Sequence, residues 1–171
     1  MCTLDLFKNS RSYHEYKEEC ITKEQMKDLM TAGLCAPSSN DEEPWHLVGI
    51  MCKDTLCKIN DAICEQHQDK TKHFYNAPCA ILVAVDPKST MSATSAAVAT
   101  QNILLAAECL KLASCWIDGV LALNNTEVGT KFKQEFNIPA HYEFYSAVAL
   151  GYRVSDLGPK NLKENRCTII E

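Results

Sequence analysis

The sequence has no apolar run approaching the roughly 20 residues needed to cross a bilayer. Its first residues, Met1-Cys2-Thr3-Leu4-Asp5-Leu6-Phe7, lack the basic and apolar regions of a secretory leader. A cytoplasmic protein with no membrane attachment is the expectation. An excess of positive charge is also missing: 17 Lys and Arg against 22 Asp and Glu leave a net charge of -5, which argues against nucleic-acid or anionic-membrane partners. Repeats, low-complexity tracts and an interdomain linker are absent, so residues 1–171 are expected to form one domain, long enough to bury a sizeable core.

Cysteine is the one residue type in marked supply, with ten, yet no two stand as Cys-x-x-Cys. That missing spacing argues against a zinc or iron–sulfur site. The nearest cluster, Cys52, Cys57 and Cys64, falls on an amphipathic-helix pattern. Others, such as Cys79, Cys109 and Cys115, lie in apolar stretches, so free buried thiols are expected rather than a disulfide framework.

The periodicities predict alternating element types. Thr22-Lys23-Glu24-Gln25 is a capping box, and Met26, Leu29, Met30, Gly33 and Leu34 recur at helical spacing until Pro37, giving a helix over 23–35. A strand is expected over 46–51, then a second helix from Asp54 carrying Leu56, Ile59 and Ile63 on one face. Ala80 to Val85 is a continuous apolar run, the signature of a strand covered on both faces. An Ala- and Leu-rich helix should span 95–112, followed by a short strand through Trp116 and Ile117, a helix capped near Asn125, and a strand over 146–150. The polar segment from Arg153 to Glu171 has no packing pattern of its own. A sheet covered by helices on both faces is the economical solution for this order.

Two segments could carry chemistry. Ser10-Arg11-Ser12-Tyr13-His14 offers hydroxyls, a guanidinium and an imidazole within five residues, a donor set that suits a phosphate, although a solvated helix end has the same composition. Ala36-Pro37-Ser38-Ser39-Asn40-Asp41-Glu42-Glu43-Pro44-Trp45 is a turn-forming stretch ending in a buried-type aromatic. Together these resemble the FMN-dependent nitroreductase family, with its Arg-x-Ser-x-Arg/Lys and Ala-Pro-Ser-Ser-x-Asn-x-Gln-Pro-Trp motifs. The resemblance continues through Asn76-Ala77-Pro78, Gln101-Asn102-Ile103-Leu104-Leu105-Ala106-Ala107, Ser114-Cys115-Trp116-Ile117-Asp118-Gly119, Ile138-Pro139, Ala149-Leu150-Gly151-Tyr152 and the closing basic pair Lys163 and Arg166.

The resemblance implies an α+β fold: a three-layer α/β/α sandwich around a mostly antiparallel sheet, assembled as a homodimer, with the C-terminal tail crossing to the partner. It further implies FMN in the subunit interface, with NADH or NADPH as electron donor and a small molecule, such as a nitroaromatic or quinone, as acceptor. By position, Ser10, Arg11, Ser12, His14 and Arg166 would hold the ribityl phosphate, with Lys163 beside them. Pro37, Ser38, Ser39 and Asp41 would approach the same flavin from the other subunit, Asp118 and Gly119 would place backbone near N5, and His73 would lie near N1 and O2 of the pyrimidine. Since the chemistry would reside on flavin N5, no side chain is expected to be catalytic, and donor and acceptor would take turns in a ping-pong cycle.

The chain departs from the family pattern in instructive places. Ser10 and His14 replace basic residues, Asp41 and Glu43 replace Asn and Gln, and the short connection from Asp86 to Thr94 replaces a helical cover, predicting an open pocket. Alternatives in keeping with those departures are a flavin-binding or storage protein with little turnover, or a dedicated reductase of another substrate. The cysteine content alone would suit a thiol-rich binding protein without flavin.

Overall fold

A computed structural model describes residues 3–171, with side chains from residue 4 onward; Cys2 lies outside the described residues. The helices are α1 (Thr3–Asn9), α2 (Lys23–Leu34), α3 (Lys53–His67), α4 (Ser92–Cys109) and α5 (Glu127–Glu135). The strands are β1 (Trp45–Ile50), β2 (Cys79–Val85), β3 (Leu112–Ile117) and β4 (Glu143–Tyr152), with short 3-10 turns at Ser39–Asp41 and Gly119–Leu123. The four strands form one sheet in the order β1-β2-β4-β3, every pairing antiparallel.

Strand β2 explains the layering. All seven of its residues are buried, and successive side chains point to opposite faces. Cys79, Ile81, Val83 and Val85 pack into a core with Met26 and Leu29 of α2 and Ala96, Ala99, Ile103 and Ala107 of α4. Ala80, Leu82 and Ala84 pack into a second core with Leu56, Ile59 and Ile63 of α3 and Phe132 of α5. The result is the expected α/β/α sandwich, with α1 resting on α4. A Cβ on Gly33 would stand 2.9 Å from Leu47 Cδ1 and 3.0 Å from Ile103 Cδ1, so glycine lets α2 settle into the layer between β1 and α4.

The helix α2 begins as its sequence requires: Thr22 Oγ1 accepts from Gln25 N at 3.1 Å and Gln25 Oε1 accepts from Thr22 N at 2.9 Å. Elsewhere the boundaries differ from expectation for local reasons. The helix expected to reach residue 112 ends at Cys109, because Lys111 adopts a left-handed φ of 57° that redirects the chain and frees Leu112 to start β3. That makes β3 a six-residue strand rather than a short one. The cap of α5 is Thr126, whose hydroxyl accepts from Gly129 N, while Asn125 takes the left-handed turn before it. Strand β4 runs ten residues instead of five, since pairing with both β2 and β3 extends it beyond its apolar centre. The cysteine expectation needs correction too. Cys79 and Cys115 are buried and Cys20 and Cys64 partly so, but Cys35, Cys52, Cys57, Cys109 and Cys167 are exposed, because hydrophobic neighbours in sequence alternate faces in space.

The topology separates the two motifs. Ser12 bridges in parallel to Ser114 on β3, and Tyr13 N donates to Ser114 O at 2.9 Å, fixing the N-terminal motif at one edge of the sheet. The Pro37–Asp41 segment leads into β1, the opposite edge.

Candidate functional site

Ser10, Arg11 and Ser12 line a cavity of about 240 Å³ together with Phe7, Gln101, Leu104, Leu105 and Lys160. The helices α1 and α4 supply its apolar residues, Phe7, Leu104 and Leu105, and the polar side chains supply donors. Arg11 is partly committed: its Nη1 donates to Gly158 O at 3.0 Å and approaches Leu157 O and Pro159 O at 3.4 Å. Lys160 N donates to Lys8 O at 2.7 Å, so the start of the tail is folded over the end of α1 and brings the Lys160 side chain to the cavity. Gln101 stands in a stretch that the sequence motif marks, yet its approach to Ser10 and Arg11 follows only from α1 lying on α4. Lys160 carried no signal, because its place is set by a backbone hydrogen bond 152 positions from its partner in sequence, 160 against 8.

The tail is anchored further back by Arg153. Its Nε donates to Leu112 O at 3.1 Å, Nη1 donates to Asp156 Oδ1 at 2.8 Å, Nη2 donates to the buried Glu108 carboxylate, and its guanidinium carbon lies 4.9 Å from the Tyr13 ring centroid. Pairing is what allows Glu108 to be only 2% exposed. Tyr16 donates its hydroxyl to Tyr13 O at 2.8 Å, and burial raises its pKa. Burial likewise pushes the Cys79 thiol up to about 12 and raises that of Cys115 despite a hydrogen bond from Ser12, so the thiols beneath the motif remain protonated near neutral pH.

His14 is exposed and does not line the cavity holding Ser10, Arg11 and Ser12. It borders a neighbouring one of about 260 Å³ with Ser12, Tyr13, Glu15, Val154, Ser155 and Leu157. Its ring stacks on Tyr75 with centroids 4.2 Å apart. That stack joins the N-terminal motif to the segment containing His73. The His73 ring is mostly buried, with Nε2 3.3 Å from Asp69 Oδ1, and its backbone N donates to Asn60 Oδ1 at 2.9 Å. A Cβ on Gly119 would come within 3.1 Å of His73 Nδ1, so His73 and the buried Gly119 are in direct apposition, with the exposed Asp118 next to them.

Pro37 and Asp41 are exposed, and Ser38 and Ser39 are half-buried. Ser38 Oγ accepts from Glu43 N at 2.9 Å, while Asn40, Asp41 and Glu43 all adopt left-handed φ angles of 45–54°. Glu42 ties this loop to the short connection before α4: Ser89 Oγ and Thr90 N, the latter at 2.9 Å, donate to its carboxylate and lower its pKa. Lys163 and Arg166 are exposed on the tail. One chain thus gathers Ser10, Arg11 and Ser12, separately gathers His73 and Gly119 with Asp118 alongside, connects the two through His14 and Tyr75, and holds Pro37–Asp41 at the far sheet edge.

Residues 8–152 match the model of the nitroreductase family. The chain is 31% identical to a protein of Methanothermobacter thermautotrophicus named as an NADH dehydrogenase/NAD(P)H nitroreductase, over 95% of this chain and 83% of that protein. A protein of the same name from Archaeoglobus fulgidus is also 31% identical, over 87% of this chain and 84% of its own. Among solved structures, a Bacteroides fragilis nitroreductase with bound FMN superposes with a TM-score of 0.90 at 27% identity, covering 100% of both chains.

Proposed function

The chain belongs to the nitroreductase family, and on that premise we propose that it is an FMN-dependent oxidoreductase passing electrons from NADH or NADPH to small oxidised acceptors. The observation that carries the cofactor assignment is the cavity at Ser10, Arg11 and Ser12. Hydroxyl, guanidinium, carboxamide and ammonium donors line it together with Phe7, Leu104 and Leu105, a set that fits a phosphate-bearing, partly apolar ligand. Gln101 and Lys160 supply the polar groups that Ser10 and His14, standing in place of basic residues, do not.

A shared site between two copies accounts for the separation of the motifs. Ser10, Arg11 and Ser12 at the β3 edge, with His73, Asp118 and Gly119 nearby, form one half; Pro37, Ser38, Ser39 and Asp41 at the β1 edge of a partner form the other. The tail fits a crossing to that partner, since Leu162, Ile169 and Ile170 are 71%, 87% and 92% exposed within one chain. Such a crossing would carry Lys163 and Arg166 with it. When bound, FMN would supply two-electron exchange at N5; Asp118 and Gly119 would offer backbone to it, and His73, whose Nδ1 edge lies against Gly119, would stand on the pyrimidine side.

None of the helices among the described residues is long and apolar enough to span a membrane. The short link between β2 and α4, tied down by Glu42, leaves little to cover the ligand, which favours broad acceptor tolerance, nitroaromatics and quinones included. Donor and acceptor would occupy the same open face in turn. Initial rates of NAD(P)H oxidation at several fixed nitroaromatic concentrations test this: parallel double-reciprocal lines support the alternating cycle, and intersecting lines contradict it. Bound flavin without turnover would instead identify a flavin-storage protein.

A further inference from the structure

We propose that Cys64, Asp69 and His73 form a binding site for one divalent transition-metal ion of the zinc type. Cys64 Sγ, an Asp69 carboxylate oxygen and a His73 ring nitrogen all lie within 4.8 Å of one another. Around tetrahedral zinc, with bonds of 2.0–2.3 Å, such ligand atoms sit about 3.3–3.8 Å apart, so small side-chain adjustments close the set. Thiolate, imidazole and carboxylate together suit zinc better than magnesium or calcium, which prefer oxygen alone.

The surrounding fold brings these groups together from a single bend. Cys64 is on the last turn of α3, and the left-handed Gln68, φ 54°, reverses the chain so that Asp69 and His73 return over it. Asn60, one turn before Cys64, holds both sides: its Oδ1 accepts from His73 N at 2.9 Å and its Nδ2 lies 3.5 Å from Cys64 Sγ. This is the role that outer partners of metal ligands play, fixing the ligands before the ion arrives. The Nδ1 edge of His73 faces Gly119, leaving Nε2 as the ligand edge toward Asp69. His67 stands close by, its ring centroid 5.4 Å from that of His73, and solvent would complete the coordination of the three-ligand set. Missing Cys-x-x-Cys spacing does not bear on this set, because it uses one cysteine. On binding, the Cys64 S–H proton, now donated to Thr71 O at 3.0 Å, passes to solvent, and a sulfur–metal bond replaces it.

The test uses the whole protein, treated with a chelator and then titrated with zinc against a chromophoric competitor, and separately with cobalt(II). One equivalent should bind, and the cobalt form should show a near-ultraviolet thiolate charge-transfer band. Cys64→Ser should remove the band and His73→Gln should abolish stoichiometric binding, while Asn60→Ala weakens affinity by about 10–100-fold and Cys57→Ser changes neither. Thermal melting of the metal-free variants keeps the comparison among folded proteins, and His73→Gln carries the test if Cys64→Ser does not fold. The absence of stoichiometric binding, retention of full affinity in both ligand variants, or equal loss in Cys57→Ser would overturn the proposal.

Discussion

Arg11 donates from Nη1 to Gly158 O at 3.0 Å, joining the N-terminal motif to the tail of the same chain. The guanidinium therefore has two tasks in the proposed function: it fixes the start of the tail and faces the cavity where a phosphate fits. Arg11→Ala should raise the Kd for FMN about tenfold to a hundredfold, the range for losing a hydrogen bond to a charged group. Fluorescence titration measures this, and limited proteolysis should show earlier cleavage after residue 157. Unchanged affinity would remove Arg11 from the clamp.

The two halves of the site can be broken in separate chains. If each site draws Arg11 from one copy and Ser38 and Ser39 from the other, co-refolding an Arg11→Ala chain with a Ser38→Ala/Ser39→Ala chain creates one intact site in each mixed dimer. FMN binding by the mixture should exceed that of either variant alone at the same concentration. Binding no better than the average of the two would place both halves in one chain.

Thr100 and Ser146 share a hydrogen bond of 2.8 Å, fully buried beneath the sheet, and Thr100 Oγ1 also donates to Ala96 O at 2.8 Å. The bulge at Tyr145 makes this pair: Phe144 and Ala147, three residues apart, face one core, and Ser146 is turned toward α4. Thr100→Val should cost about 1–3 kcal/mol by stranding the Ser146 hydroxyl, and adding Ser146→Ala should recover part of that loss. Urea unfolding of the single and double variants measures the coupling; additive losses would contradict it.

Gly129 admits no side chain, since a Cβ there would lie 1.9 Å from the backbone oxygen of Leu123. Gly129→Ala should lower stability by about 1–3 kcal/mol. A lower Tm with little change in FMN affinity per folded chain is the expected outcome; an unchanged Tm would mean the 3-10 turn before α5 yields freely.

Glu42 titrates below the usual range for its type, chiefly through the hydrogen bond from Ser89 and then that from Thr90 N. A carboxylate with a depressed folded-state pKa contributes stability above its ordinary pKa and loses it as pH falls through the folded value. The contact between the 37–44 loop and the 86–91 connection should therefore hold at neutral pH and loosen in acid. Hydrogen exchange at the Thr90 amide, corrected for intrinsic rates, should lose protection as pH falls through the depressed pKa of Glu42, below the ordinary glutamate range, and Glu42→Gln should remove the dependence.

How much of this was legible in the sequence depended on whether the determining contact was local. The capping box at Thr22, the apolar run of β2 and the helical spacing of Leu56, Ile59 and Ile63 each carry their structure in adjacent residues, and the sandwich follows from them. Left-handed Lys111 and the bulge at Tyr145 leave no such pattern, so the ends of α4, β3 and β4 differ from expectation. At the candidate site, the Ser10–Ser12 donors are visible as composition. Lys160 and the His14–Tyr75 stack are products of tertiary folding, and the Cys64–Asp69–His73 cluster needs a chain reversal that sequence spacing does not announce.

FMN binding at the Ser10–Ser12 cavity underlies the proposed function, and equilibrium titration of the cofactor-free protein by flavin fluorescence tests it most directly. Saturable quenching at one FMN per chain, weakened by Arg11→Ala, is the predicted result. A protein that leaves flavin fluorescence and absorbance unchanged at saturating concentration would contradict the cofactor assignment and, with it, the proposed reductase activity.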